Sequence, residues 1–218
     1  MRLQLTEPVH AVMIDSDLVF LDVDADAYFC LPLPEGLVVL DGEILVTPDV
    51  QLGEELVGAG LVMFAGDASP LRSRPTAPER TARRLLELAP QMHGRVRFSH
   101  IAALAAAVRA GLASRRRTFR QVVQAHGPSE ASAHHDIPRL LADIAVWRRL
   151  APWLPMDGVC LFRSGMLAAF LRVLGHRPTW VFGVRTWPFQ AHCWLQVEDI
   201  ALDDEAERLC AFAPIMEV

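Results

Sequence analysis

Apolar and polar positions near the N-terminus fall into short runs. His10–Ile14, Leu18–Val23 and Tyr28–Leu31 are rich in β-branched and aromatic residues. Ser16-Asp17 and Asp24-Ala25-Asp26 separate them, and Pro32 and Pro34 close the set. Such runs between turn formers predict an antiparallel meander. Leu37–Leu40 follows as another apolar run. Asp49–Ala59 has helical spacing, with Thr47-Pro48 as capping residue and first-turn proline and Gly60 at the stop. Beyond residue 78 the period lengthens, and 79–90, 99–112 and 136–150 read as amphipathic or alanine-rich helices, the second capped by Ser99. Leu161–Leu174 is apolar along two helical stripes at once, so it predicts a core helix stopped at Gly175. Strands at Thr179–Arg185, Ala191–Val197 and Ile200–Leu202 follow. Trp187-Pro188-Phe189 forms a bend between the first two, and the third ends at Asp203-Asp204.

This order predicts an α+β chain in two parts. Three strands followed by short helices make the first part a small winged-helix-like unit. Charge sharpens the division. The 218 residues carry a net charge of −5, yet residues 1–71 hold one arginine against thirteen acids, and 72–218 hold twenty arginines against thirteen. The sign changes within a Gly/Pro/Ser-containing stretch, so the expected modules are 1–70 and 79–218, joined by a linker at 71–78. A net charge of −12 on the first part argues against nucleic-acid binding there, because phosphate contact needs cations. Arg115, Arg116, Arg117 and Arg120 form a basic run, but no element suited to a nucleic-acid groove accompanies it.

With 52% hydrophobic residues and a mean hydropathy of +0.24 the chain can bury a core. It has no apolar stretch long enough for a membrane span, and its first residues do not read as a signal peptide. Four cysteines do not make a disulfide scaffold, which points to a reducing, cytoplasmic setting.

The chemistry is concentrated after residue 156. Asp157-Gly158-Val159 leads into Cys160 at the start of the apolar helix. Backbone N–H groups at a helix N-terminus favour thiolate over thiol and can hold a developing oxyanion. Strand alternation sets His192, Trp194 and Gln196 on one face and Cys193, Leu195 and Val197 on the other. A cysteine, a histidine and a carboxylate on consecutive elements can form a nucleophile, a base and an orienting group. Periodicity leaves either Asp203 or Asp204 as the carboxylate. Cys30, Cys193 and Cys210 read as core residues. His134-His135-Asp136 lacks further ligands at a zinc-type spacing, and His10, His93, His100, His126 and His176 are scattered with no companion that sequence spacing assigns, so no metal is expected.

Asp157–Ser164, the apolar helix, Phe182–Arg185, Pro188–Val197 and the closing Phe212-Ala213-Pro214 resemble the B protein of lasso-peptide biosynthesis. The resemblance implies a papain-related, transglutaminase-like cysteine peptidase with Cys160 as nucleophile, His192 as base and Asp204 as the orienting carboxylate. It implies a winged-helix-like recognition domain over the first part, which holds the leader of a precursor peptide by strand addition, with Val19, Leu21, Tyr28 and Phe29 as contacts. It also implies a partner, an ATP-using macrolactam synthetase, as the only source of any ATP requirement. The chain has no nucleotide motif of its own, and no cofactor, nucleic acid or membrane is expected. The chain departs from the family in placing Cys193 where a small residue usually follows the histidine. The Cys160 N–H is one expected oxyanion donor and Gln190 a candidate for the second. The same nucleophile and base would also serve a transglutaminase or amidase, and a noncatalytic precursor-presenting protein is the alternative of a different class.

Overall fold

The computed structural model describes residues 1–66, 76–89, 94–127, 135–154 and 160–218. Residues 71–75 of the expected linker, His93, His134, Pro128-Ser129 and Asp157-Gly158-Val159 lie outside them. The architecture is mixed α+β, with twelve strands and seven α-helices among the described residues. The chain divides into two compact units. One comprises 1–75, 183–191 and 213–216, and the other 76–182, 192–212 and 217–218.

The first unit contains the meander: β2 (Val9–Ile14), β3 (Asp17–Asp22) and β4 (Ala27–Pro32) pair in the order β2-β3-β4. The register is antiparallel throughout, with Val12 opposite Val19 and Val19 opposite Cys30. A second sheet was not anticipated. It joins β1 (Arg2–Leu5), β5 (Val39–Asp41), β6 (Ile44–Val46) and β7 (Val62–Phe64) in the order β5-β6-β1-β7. Its strands are only three or four residues long, too short for alternation to register in the sequence. The several short helices expected after the meander reduce to one, α1 (Val50–Gly58). Asp49, rather than Thr47, caps it by accepting from the Leu52 N–H at 3.1 Å. Thr47 Oγ1 instead accepts from the Asp49 N–H. Leu3, Leu18, Phe20, Leu45 and Leu56 form the core of this unit.

The second unit contains α2 (Ala82–Leu88), α3 (Phe98–Ser114), α4 (Phe119–His126), α5 (Ile137–Leu150) and α6 (Cys160–Val173). Expected Ser99 capping is replaced at α3, where the His100 ring accepts the Arg97 backbone N–H at 2.8 Å. Asp136 is the N-cap of α5, its carboxylate accepting from the Arg139 N–H. Helices α3 and α6 lie close because Ala103, Ala107 and Gly111 make a smooth stripe every four residues. A Cβ at Gly111 would fall 2.9 Å from Phe162 and 3.0 Å from Met166.

Strands β8 (Arg80–Thr81), β9 (Thr179–Arg185), β10 (Gln190–Val197), β11 (Ile200–Ala201) and β12 (Ala213–Glu217) form a sheet in the order β12-β9-β10-β11-β8. The turn between β10 and β11 is two residues, Glu198-Asp199, since Val197 faces Ile200 directly. Behind α6 lies a buried polar cluster. Asp143 on α5, 1% exposed, accepts from His100 Nε2 at 2.9 Å and His176 Nε2 at 3.0 Å and is paired with Arg97. Burial opposes its charge, but these partners hold its pKa down at about 2. No helix among the described residues is long and apolar enough to cross a membrane.

Candidate active site

Helix α6 begins at Cys160, and its inward stripes (Met166, Leu167, Phe170, Leu171) fix it within the second unit. Its first turn therefore presents the thiol at a defined point, against β10. There Cys160 lies beside Cys193 and the His192 imidazole, close enough for both to act on its thiol. On the other side of the imidazole, His192 Nε2 meets Asp204 Oδ2 at 2.7 Å. With Nε2 engaged, Nδ1 is the ring nitrogen left for the thiol. Both His192 and Asp204 side chains are 14% exposed, so the pair is shielded yet reachable. The carboxylate is held in turn by the Glu205 N–H at 2.8 Å and Arg208 Nη1 at 3.4 Å.

Position and chemistry agree. The Cys193 thiol, followed by the His192 imidazole, outweighs burial and lowers the Cys160 pKa to about 4. Asp204, followed by Cys160, raises His192 to about 9. Between those values sulfur and ring form a thiolate–imidazolium pair. Burial raises the Asp204 pKa, yet the bond from His192 leaves it below the ordinary carboxylate range.

The geometry separates the two acids that the sequence left open. Asp204 faces the imidazole. Asp203 points away, accepting from Ser164 Oγ at 2.5 Å and the Leu195 N–H at 2.9 Å. It thereby buckles the first turn of α6 to β10, and burial raises its pKa to about 6. Sequence reasoning missed this buckle, although Ser164 stands one helical turn after Cys160. It also read Cys193 as a plain core residue. Cys193 is buried, but its thiol lies close enough to Cys160 for each to shift the other. Gln190 is exposed at the start of β10, and it does not line the cleft around Cys160. That cleft has a volume of about 1040 Å³, enough for a segment of peptide.

The four residues expected to touch a leader do not share one situation. Val19 and Leu21 are fully buried on β3, the central strand, with neighbours paired on both sides. Neither their side chains nor their backbone is open to a ligand, because alternating strands bury one set against each face and a central strand has no free edge. Tyr28 and Phe29 are on β4, an edge of that sheet. Tyr28 packs on Phe189 with ring centroids 5.6 Å apart, and Phe29 is 43% exposed.

A profile of the transglutaminase-like superfamily matches residues 100–217, more than half of the chain, and the chain belongs to that superfamily. Its members are typically cysteine peptidases or acyltransferases. No curated protein and no solved structure matches the chain.

Proposed function

We propose that this chain is a cysteine peptidase that removes the leader from a ribosomally made lasso-peptide precursor. The observation that supports the chemistry is the His192–Asp204 hydrogen bond with the Cys160 thiol beside the imidazole, at the wall of an open cleft. The Cys160 thiolate attacks the scissile carbonyl carbon, and the carbonyl electrons move to oxygen. The Cys160 backbone N–H, at the start of α6, is one donor to that oxyanion. The His192 imidazolium gives its proton to the leaving amine, the C–N bond breaks, and a thioester remains. Water, deprotonated by His192, then attacks the thioester and returns the sulfur as thiolate. Asp204 orients the ring and stabilises its charged form.

The division of labour we propose assigns leader recognition to residues 1–70 and cleavage to 79–218, with 71–78 as linker. The three-stranded meander supports the first assignment, since it is the part that fits the expected winged-helix-like recognition domain. Leader addition is reassigned from Val19 and Leu21 to the β4 edge, with Phe29 as the exposed contact. The product carries a new α-amine, which an ATP-using macrolactam synthetase would close into a ring. The peptidase steps themselves need no cofactor, and the setting is the reducing cytoplasm.

The test is to incubate the full chain with a lasso-type precursor peptide, chosen from any short reading frame found beside its gene, and to weigh the products. Leader and core fragments from the natural chain, and intact precursor with Cys160→Ala, support the proposal. A cross-link or a side-chain deamidation instead of backbone cleavage would establish acyl transfer on the same fold. Leader release by Cys160→Ala with the synthetase present would reduce the chain to a presenting protein.

A further inference from the structure

The cleft around Cys160 carries more positive charge than the peptidase chemistry uses. Four of its lining residues are arginines: Arg83, Arg148, Arg163 and Arg208. Two have acidic partners, Arg83 with Glu205 and Arg208 with Asp204, each at 3.4 Å. The described carboxylates of the cleft are thereby committed, since Asp204 also serves His192 and Asp203 is held by Ser164 and Leu195. Arg148, next to Trp147 on α5, and Arg163, one turn after Cys160 on α6, are exposed and have no acidic partner among the described residues.

Arg163 is also placed against the helix field. It stands in the first turn of α6, where the backbone N–H groups already carry partial positive charge and a cation is unfavourable. Two such cations in a concave wall, without an acidic partner among the described residues, raise the local concentration of anions. The guanidinium fork suits a carboxylate, which it can bind through two N–H groups.

We propose that the cleft selects peptides with an acidic side chain, Asp or Glu, close to the scissile bond, with Arg148 and Arg163 as its cationic partners. This specificity rests on the reading of Cys160 as the nucleophile. It adds a substrate class to that reading: an acidic segment is drawn in, and its neutral amide analogue is not.

The experiment avoids any need for the natural precursor. The full chain is treated separately with iodoacetyl-glutamate amide and iodoacetyl-glutamine amide, and alkylation of the Cys160 peptide is followed by mass spectrometry. The ratio of the two rates, acid over amide, is compared with that of the Arg148→Gln/Arg163→Gln double variant. His192 and Arg208 remain in both proteins, so their general attraction for anions cancels. The natural chain is expected to show a ratio about three- to tenfold higher, the scale of two partly exposed charge contacts. Arg163→Gln alone is expected to fall between them, and added salt to bring the natural ratio toward that of the double variant. Equal ratios in the two proteins, or a ratio insensitive to salt, would overturn the proposal. If Cys160 reacts with neither probe, the nucleophile assignment itself fails and this specificity falls with it.

Discussion

At the scale of single residues, the contacts of the Cys160 sulfur set the working pH. Its pKa is lowered and that of His192 raised, so the reactive pair exists above about 4 and below about 9. The rate of precursor cleavage, as kcat/KM, is expected to rise through the first value and fall through the second. Cys193→Ala removes the largest contribution to the lowered thiol pKa and should move the acid limb to higher pH. An unmoved limb would show that the Cys193 contact does not tune the nucleophile. Asp204→Ala is expected to leave a slow enzyme, with roughly ten- to hundredfold more residual activity than Cys160→Ala, because triad members contribute unequally. That Cys160 and His192 could converge was legible in the sequence, as a cysteine opening an apolar helix and a histidine on a following strand, and the structure does bring the two side chains together. The choice between Asp203 and Asp204 was not legible from periodicity, because neighbours on a strand end differ only in side and both sides here are buried. The Cys193 contact was hidden for the same reason, as it sits on the strand face opposite to His192.

At the scale of elements, α6, the helix that begins at Cys160, depends on close contact with α3. The alanine-rich character of 99–112 was plain in the sequence, but its meaning came from the partner. Phe162 and Met166 lie against Gly111, leaving no room for a Cβ there, and Ala103 and Ala107 are fully buried in line with it. Gly111→Leu should cost about 1–3 kcal/mol through overpacking, read as a fall in Tm. The cluster at Asp143 is a second tie. Three basic groups converge on one buried carboxylate, and removing it leaves them unpaired, so Asp143→Ala should cost about 3–5 kcal/mol. Its pKa is depressed in the folded chain, so this stabilisation is present above the ordinary carboxylate value and is lost as pH falls toward about 2. Denaturant unfolding at several acidic pH values is the check, and Asp143→Asn should flatten the dependence. None of these partners was visible beforehand, because His100, Asp143 and His176 are far apart in sequence and share no spacing rule.

At the scale of the whole molecule, the reversal of charge sign near residue 72 and the order of elements made a two-part reading possible. The meander strands were legible to within a residue or two because they are six residues long and bounded by turn formers. The second sheet was not, because three-residue strands owe their existence to pairing rather than to local pattern. If leader recognition uses the β4 edge, Phe29→Glu in the uncleavable Cys160→Ala chain should weaken binding of the precursor peptide in calorimetry. It should leave alkylation of Cys160 unchanged when made in the natural chain. Binding that survives the substitution would place the leader elsewhere.

The two-residue turn at Glu198-Asp199 bears on how this protein can diversify. Loops usually tolerate insertions and deletions. Here the turn leads through β11 straight into Asp203-Asp204, and the chain has no slack between them. One added residue would exchange which carboxyl meets the imidazole and which one fastens the helix, since a one-residue slip reverses every side chain on a strand. Relatives of this chain are therefore free to lengthen other connections but are expected to keep this one at constant length.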